Sequence, residues 1–497
     1  MHHLSTPRRR TAVTLAAAVG ILASALVASP VVTAAPNQSA AAQPGKIAAD
    51  LGATLATGPS AFWVRFADRA DLAAAAQTAG WNARGQAVYD ALTSTADTSQ
   101  ADVRAFLDGR GVAYETFFIT NAIHIAAGDA DLAAELSSFT AVSELIAPVE
   151  YALHEPVARV DNTAAPTAIE WGVTNVNADD VWTTFANKGE GIVIANIDTG
   201  VKWDHPALKS HYRGTKTDGT ANHNYNWFNS SGSQSAPFDN NGHGTHTMGT
   251  MVGDDGAANQ IGVAPGAKWI TANGCNTCSD TDLLESGEWM LAPTKLNGTT
   301  PKTGKRPHII NNSWGTIIPG TDPFYADTVT AWTASGIFGQ FSNGNSGPSC
   351  TTSGSPGSLV ETYSAGAYDI NNNIASFSAR GSGESGDIKP NIAAPGVNVR
   401  SAWNNNGYTN LDGTSMASPH VAGAIALLWS EVPSFKRDIT ATRTALDNSA
   451  TDVSALTCGG TLDDNNVFGE GRLNAFALVD NAVTAEAALA TTSRSAG

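Results

Sequence analysis

The chain has 497 residues, of which 42% are hydrophobic and 15% charged, and its formal net charge is −17. This length exceeds that of one ordinary domain, so we expect two folded units together with processing segments. An acidic chain without clustered Lys and Arg is not expected to bind nucleic acid, because phosphate binding requires such clusters.

The first 34 residues are predicted to be a secretory signal peptide. Arginines at positions 8–10 precede an apolar run over 12–28, and a small-x-small pattern at 32–34 fits cleavage after Ala34. The apolar run is short for a membrane span, so we expect a secreted, extracellular protein with no membrane segment after cleavage. A signal anchor and, given the consecutive arginines, a twin-arginine export route are the alternatives.

The next region is predicted to contain a separate small domain with mixed α and β structure, over about residues 50–156. Its strands and helices follow from local hydrophobic periodicity. A loose segment with Pro166 comes after it, and we expect proteolytic maturation there. The predicted elements are strands at 62–66 and 114–126, helices near 71–80, 99–108 and 129–139, and an extended piece at 150–154.

From about Trp171 the sequence changes to short β-branched runs, Gly-rich turns and helices of small residues. This pattern predicts an α/β fold over 161–484, with a doubly wound, mostly parallel sheet and helices on both faces, before a flexible tail over 485–497. Ligands of such sheets bind at the carboxyl ends of the strands, so polar residues there are the first candidates for chemistry. The predicted strands are 191–198, 267–273, 308–313, 336–342 and 361–368.

Four cysteines fit an exported protein, whose thiols tend to oxidise. Although four cysteines allow three connectivities, we favour a bridge between the closely spaced Cys275 and Cys278, which leaves Cys350 to pair with Cys458. A zinc half-site at Cys275 and Cys278 is the rival interpretation, but no second ligand pair follows at zinc spacing.

Ser415 stands where a glycine turn leads into a helix of small and apolar residues, in the segment from Asp412 to Gly423. The amino terminus of a helix offers free N–H groups and positive potential, which stabilise an oxyanion. An isolated serine at this position would only cap the helix. A serine nucleophile also needs a base that takes its proton.

Two histidines, His243 and His246, open a Gly-rich helical segment and are candidates for that base. A histidine that titrates near neutral pH can take and return a proton. Because the two residues are one helical turn apart, a metal site is the alternative, but no acidic base or third ligand follows at a recognisable spacing. We therefore predict no metal ligands here.

Asp198 ends an apolar strand and is followed by Thr199 and Gly200. A carboxylate at a strand end can orient a histidine and stabilise its protonated form. Asp-Thr-Gly also resembles the aspartic-protease signature, but that chemistry needs a second such carboxylate, and the sequence contains no second Asp-Thr-Gly.

These three segments resemble the Asp, His and Ser boxes of the subtilisin-like serine peptidases, and they follow that family's chain order. The resemblance implies a subtilisin-like fold and a secreted serine endopeptidase that forms an acyl-enzyme on Ser415. It assigns His243 as the base, Asp198 as the orienting carboxylate and His246 as a structural residue.

Two more segments resemble motifs of this family. The segment from Gly339 to Asn345 is similar to the one that ends in the oxyanion-hole asparagine, which makes Asn345 the expected donor and Asn343 the competing assignment. The strand over 309–315 resembles the one that pairs with the substrate backbone. The implied substrate-binding residues are Ser313, Trp314, Gly315, Ser342, Asn343 and Gly344.

The resemblance also extends to the regions around the boxes. The small domain is similar in pattern to the inhibitory propeptides of these enzymes, so residues 35–160 are expected to form a propeptide that the enzyme removes itself. The sequence from Cys275 through Trp289 to Pro293 is similar to the bacillopeptidase F branch.

The expected partners are polypeptide substrates and the chain's own propeptide, and the chain is expected to be a monomer. No cofactor is expected. Calcium is possible without assigned ligands, since Asp254 and Asp255 are acidic but no calcium-binding spacing occurs. A catalytically inactive protein-binding homologue and an aspartic-type protease are the alternative functions.

Overall fold

The computed structural model describes residues 45–161, 169–232 and 235–495, which form two compact units. The first contains the described residues up to Arg69 together with Ser94–Pro148, and the second contains Ala70–Thr93 and the described residues from Val149 onward. The predicted signal peptide, the start of the predicted propeptide and positions 162–168 of the predicted linker lie outside the described residues. No helix within the described ranges is both long and apolar enough to cross a membrane.

The first unit is a four-stranded antiparallel sheet with helices packed on it. Its core contains Phe62, Val64 and Phe66, which alternate along the first strand, and Leu132 and Leu136 from a helix. The elements up to residue 146 are α1 (Ala49–Leu55), β1 (Ser60–Phe66), α2 (Ala73–Ala76), α3 (Trp81–Ser99), α4 (Ala101–Arg110), β2 (Glu115–Phe117), β3 (Ala122–Gly128), α5 (Ala130–Ser137) and β4 (Val142–Ile146). Of these, α2 and the part of α3 up to Thr93 belong to the second unit.

The structure corrects two predictions for this region and adds one helix. The single strand predicted at 114–126 is a hairpin, because β2 and β3 pair antiparallel across a turn in which Asn121 has a left-handed φ of 48°. The helix predicted near 71–80 is only the short α2. The long helix α3 was not predicted, since its Gly, Ser and Thr residues disfavour a helix, yet Val88, Leu92 and Ala96 repeat at four-residue spacing and are buried.

The second unit contains the remaining elements. They are β5 (Tyr151–Leu153), β6 (Ala158–Asp161), α6 (Trp171–Asn175), α7 (Ala178–Phe185), β7 (Val193–Asp198), β8 (Trp227–Asn229), α8 (His243–Val252), β9 (Lys268–Asn273), α9 (Asp280–Leu291), β10 (Ile309–Asn312), β11 (Trp314–Thr316), α10 (Ala326–Ser335), β12 (Phe338–Ser342), β13 (Tyr363–Tyr368), β14 (Ile392–Pro395), β15 (Val399–Ala402), β16 (Tyr408–Asp412), α11 (Thr414–Glu431), α12 (Ile439–Ser449) and α13 (Ala475–Ser495).

A seven-stranded parallel sheet, in the order β14-β13-β12-β10-β7-β9-β8, is the centre of this unit. The predicted α/β fold is therefore confirmed, and each of the five predicted strands begins one or two residues later than expected. Strand residues such as Ile194, Ile309 and Phe338 share one buried cluster with residues of α8 and α11. Helix α13 continues to Ser495, so most of the predicted flexible tail is helical.

The structure contains the two disulfide bridges that the sequence favoured, Cys275–Cys278 and Cys350–Cys458. All four sulfur atoms are used in these bridges. A zinc site at Cys275 and Cys278 is excluded while that bridge is intact.

We expect the Cys350–Cys458 bridge to contribute far more stability than Cys275–Cys278. The two bridges join residues 108 and 3 positions apart, so replacing both cysteines by serine should cost roughly 4–5 kcal/mol for the long bridge and about 2 kcal/mol for the short one by loop-closure entropy. Denaturant unfolding followed by tryptophan fluorescence, in a Ser415→Ala chain, measures both values. An equal or larger loss for the short bridge would contradict this prediction.

Candidate active site

The carboxyl end of β7 and the amino end of α8 bring Asp198 and His243 together. His243 Nδ1 lies 2.7 Å from Asp198 Oδ1, and both side chains are buried. The helix can approach the strand end this closely because residue 244 is glycine, where a Cβ atom would lie only 2.1 Å from the Gly200 carbonyl oxygen. The geometry is that of a histidine oriented by a carboxylate.

Other donors complete the environment of the buried Asp198 carboxylate. The Thr199 amide donates to Oδ1 at 2.8 Å, and the Thr247 hydroxyl donates to Oδ2 at 3.2 Å. Burial by itself lowers the pKa of His243, but the charge of Asp198 and its hydrogen bond outweigh burial and raise this pKa above its ordinary value. The site therefore stabilises the imidazolium that forms when His243 takes a second proton.

Ser415 is buried in the first turn of α11. Its hydroxyl donates to the carbonyl oxygen of His154 at 2.9 Å and to that of Ser313 at 3.3 Å. His243 Nε2 is buried and has no hydrogen-bond partner within the described ranges. The serine is thus directed at a backbone carbonyl of its own chain, while the free nitrogen of the histidine has no partner.

The Asn345 carboxamide is held in one orientation by Thr414. The amide and hydroxyl of Thr414 both donate to Asn345 Oδ1, at 2.9 and 2.8 Å. This leaves the NH₂ group to donate to the carbonyl oxygens of Glu155, at 3.0 Å, and His154, at 3.4 Å. The His154 carbonyl therefore receives hydrogen bonds from both Ser415 and Asn345.

The competing asparagine has a different environment. Asn343 is buried, its Nδ2 donates to the Ala379 carbonyl at 2.8 Å, and its Oδ1 accepts from the Ser364 hydroxyl at 3.2 Å. Its side chain joins neighbouring segments of the protein core. This arrangement favours Asn345 as the donor that faces the reacting carbonyl.

Residues 149–161 run through the site as an extended segment on both sides of His154. Ahead of it, β5 pairs antiparallel with β11, and Leu153 lies opposite Trp314. Beyond it, the Val157 amide donates to the Asp412 carbonyl at 2.8 Å, and β6 pairs antiparallel with β16. Backbone pairing of this kind is how an extended peptide substrate is held.

The His154 side chain lies against three of the predicted substrate-binding residues, Ser342, Gly315 and Gly344. Its Nδ1 lies 2.7 Å from the Ser342 hydroxyl, and its backbone amide donates to the Ser313 carbonyl at 3.4 Å. A Cβ atom at Gly315 would lie 2.6 Å from the imidazole, and one at Gly344 would lie 3.8 Å from it. Gly315 therefore leaves the space that the ring fills, whereas the contact at Gly344 is an ordinary van der Waals distance.

His246 lies on the same helix as His243 but has a structural environment. Its Nε2 contacts the carbonyl oxygens of Val399 and Thr409, at 3.0 and 3.2 Å, so the ring joins α8 to strands β15 and β16. Burial, and next the charge of His243, lower the pKa of His246 to about 3. Across residues 45–161, 169–232 and 235–495, no group of three or more His, Cys, Asp or Glu side chains is arranged to hold a metal ion.

Comparison with known proteins agrees with this geometry. The profile of the subtilase family matches residues 189–471. The chain belongs to the subtilase family. This confirms the resemblance that the sequence motifs indicated and the fold that it implied.

Several curated relatives are similar to this subtilase. Bacillopeptidase F of Bacillus subtilis (strain 168) is 37% identical over 80% of this chain, which covers 29% of that protein. Subtilisin BL of Lederbergia lenta and the alkaline protease of Alkalihalobacillus alcalophilus are each 31% identical, over 62% and 63% of this chain and 97% and 70% of the relatives. The chain thus spans less than a third of the bacillopeptidase F.

The sequence interpretation missed Asp239, which organises the start of the helix that carries His243. Its Oδ1 accepts from the Thr199 hydroxyl and the amides of Asn241 and Gly242, and its Oδ2 accepts from the amide and hydroxyl of Thr245. The donors belong to the segment that follows Asp198 and to the start of the helix that carries His243. The buried Asp239 carboxylate therefore holds both segments of this subtilase in place. An acidic residue shortly before a helix start was the available signal.

The Cys275–Cys278 loop also borders the site of this subtilase. The Cys275 amide donates to the backbone carbonyl of Asp198 at 3.0 Å. A cavity of about 400 Å³ lies between this loop and the segment at Leu153 and Glu155. The short bridge therefore shapes a wall of the groove next to the bound segment.

We expect NMR titration to find the His243 pKa above its ordinary value in a full-length Ser415→Ala chain. The further change Asp198→Asn removes the negative charge but not the burial, so the same pKa should fall below 6.5, the ordinary value. The imidazole chemical shifts measure both values. Asp204→Asn, at a surface ion pair, is the control, and an unchanged pKa in the Asp198 variant would contradict the assignment.

Proposed function

We propose that this subtilase is a secreted serine endopeptidase, made as a precursor that cuts itself, and that it hydrolyses peptide bonds in polypeptides through an acyl-enzyme on Ser415. One observation carries the proposal. A single peptide carbonyl, that of His154, accepts hydrogen bonds from both the Ser415 hydroxyl and the Asn345 carboxamide.

The first step uses Ser415 and His243. The Ser415 Oγ forms a bond to the carbonyl carbon while its proton passes to His243 Nε2, which has no other partner in the described structure. Asp198 stabilises the resulting imidazolium through its contact at Nδ1. When the C–N bond breaks, the amine takes that proton and an ester on Ser415 remains. Water then attacks the ester carbon while its proton passes to His243 Nε2. The bond to Ser415 Oγ breaks, the serine takes that proton, and a free acid is released.

Asn345 stabilises the charge that develops on the carbonyl oxygen. Its NH₂ group is presented to this oxygen because Thr414 already holds its Oδ1. The backbone N–H of Ser415, in the first turn of α11, is the expected second donor. Donors fixed before the reaction require little reorganisation as the charge forms.

The self-cleavage bond in this proposal is His154–Glu155. Ser415 contacts the carbonyl of His154, and the His154 side chain fills the pocket beside Ser342 and Gly315. The next carbonyl, that of Glu155, accepts a hydrogen bond from Asn345. The Ser415 hydroxyl donates to the carbonyls of His154 and Ser313. This bond lies inside the predicted propeptide of residues 35–160 and ahead of the loose segment in which the sequence analysis expected maturation.

The bound segment also supports an inhibitory role for the propeptide. β5 occupies the edge of β11, so an external peptide cannot pair with that edge until β5 leaves. The signal peptide predicted over 1–34 and the two disulfide bridges support secretion.

Two other functions receive less support. An aspartic protease needs two carboxylates that share a proton, whereas Asp198 is paired with His243 and the hydroxyl of Thr199 separates it from Asp239. An inactive binding homologue would lack a member of the catalytic set, and all of its residues are present.

Mass spectrometry after treatment with a fluorophosphonate tests this proposal. The parent should carry one adduct, on Ser415, and its cut form should begin at Glu155, whereas Ser415→Ala should have no adduct and remain uncut. Ser430→Ala, near the other end of the same helix, is the matched control and should behave like the parent. An active parent without an adduct would refute the serine mechanism, and a folded, inactive parent without one would favour the binding homologue.

We expect Asn345→Ala to slow self-cleavage by about 10²–10³-fold, because one oxyanion donor is lost. Asn343→Ala removes a buried structural asparagine, so it should lower the denaturation midpoint but leave the rate in the folded chain near that of the parent. The rate is measured by following the Glu155 amino terminus over time. The reverse pattern would show that Asn343 is the donor.

A further inference from the structure

The start of helix α3 makes close contacts with the end of helix α10, far along the chain. Arg84 donates from Nε to the carbonyl of Ala334 at 2.6 Å, and from Nη2 to that of Thr333 at 3.1 Å. These are carbonyls of the last turn of α10, which has no basic residue of its own. Such carbonyls lack partners within the helix and carry its negative partial charge, so a cation stabilises them.

Arg306 completes this arrangement from the other side. It is 1% exposed, and its Nη2 donates to the carbonyls of Ser335 and Trp81, each at 2.8 Å. Three successive carbonyls of the helix end are therefore capped by two arginines. One of these arginines, Arg84, comes from the predicted propeptide.

The Trp81 ring lies among cationic and aromatic side chains. The guanidinium carbons of Arg306 and Arg437 lie 3.4 and 4.6 Å from its ring centroid, and the His308 ring stacks at 4.8 Å. Cation–π contacts of this kind are strongest when both partners are removed from water. We call the surface formed by Arg306, Arg437, His308 and the carbonyls of 333–335 the arginine recess.

The fit between the segment and the recess is also steric. A Cβ atom at Gly85 would lie 2.1 Å from Arg306 Nη1, so only glycine allows the guanidinium to lie flat against α3. On the other side, a Cβ atom at Gly304 would lie 2.6 Å from the Asn82 side chain.

The positive charges at the recess oppose one another, and the contacts with Trp81 offset this repulsion. Burial, and then the charges of Arg437 and Arg84, lower the pKa of Arg306 to about 9. The π face of Trp81 and its backbone carbonyl compensate this desolvated positive charge. Without the segment, Arg306 would lose the Trp81 carbonyl and ring, and the end of α10 would lose Arg84.

We propose that the arginine recess is a second docking site for the segment 81–86, which keeps the cut propeptide bound to the peptidase core. The inference deepens the proposed function and rests on it, because cleavage at His154–Glu155 makes the segment and the recess parts of separate polypeptides. The recess then acts as an intermolecular interface. The cut propeptide stays attached even when β5 has left the active-site groove.

A full-length chain with Ser415→Ala tests the docking site without any contribution from catalysis. A recognition sequence for a site-specific protease is placed between β6 and α6, the purified chain is cut there, and the N-terminal piece is held on a surface. The measured quantity is the rate at which the core piece dissociates. Trp81→Ala and Arg84→Ala, on the segment, and Arg437→Ala, in the recess, should each raise that rate at least about tenfold.

Arg104→Ala is the matched control, because Arg104 forms an ion pair with Asp97 at an exposed position, and its dissociation rate should equal that of the parent. Trp81→Ala combined with Arg437→Ala should raise the rate by less than the product of the single effects, since the two side chains contact each other. If Arg84→Ala does not fold, Arg84→Lys is used in its place, because lysine keeps the positive charge but lacks the forked guanidinium.

Dissociation rates that are unchanged by substitutions on both sides would overturn the docking site. This outcome is distinct from failure of the proposed function, in which the chain with Ser415 intact would never be cut at Glu155. The docking measurement uses an inactive chain and is unaffected by that result.

Discussion

The structure of the site depends on one buried carboxylate, that of Asp198. A charge at the end of a core strand is stable only if charged and hydrogen-bonding partners surround it. His243, Thr199 and Thr247 supply these partners, and Asp239 holds the segments that carry them. The position of α8 against β7 and the protonation of His243 follow from the requirement to satisfy this carboxylate.

The second constraint is that the groove already holds part of the same chain. β5 and β6 form backbone pairs on either side of His154, so the peptide bond after His154 is held beside Ser415 and Asn345. While the segment occupies the groove, His243 Nε2 has no hydrogen-bond partner among the described residues, and the Ser415 hydroxyl donates to the His154 carbonyl. Effective concentration explains why an intramolecular segment can occupy the groove with modest contacts.

The arginine recess holds another segment of the same chain, at a place away from the reacting groups. The end of α10 needs cations, and the protein obtains one of them, Arg84, from a segment that the proposed cleavage separates from the core. Stability of the core and retention of the propeptide are therefore coupled in this proposal. Ala70–Thr93 accordingly belongs to the same compact unit as the peptidase core.

The sequence by itself predicted the parallel sheet, because buried strands such as 193–198 are recognisable as short β-branched runs. Strand ends and helix starts indicated Asp198, Ser415 and two candidate histidines, and the resemblance to the subtilisin-like boxes assigned His243 as the base. It did not predict α3, the hairpin of β2 and β3, or Asp239, and it assigned Asn345 as the oxyanion donor with Asn343 as the competing residue. Tertiary structure decided where α3, the hairpin and Asp239 lie and what surrounds the two asparagines, since these depend on partners distant in the sequence: Thr414 orients Asn345, Ser364 binds Asn343, and Arg306 packs on Gly85. Local patterns record which groups a segment carries, whereas hydrogen-bond geometry exists only after distant segments have packed together.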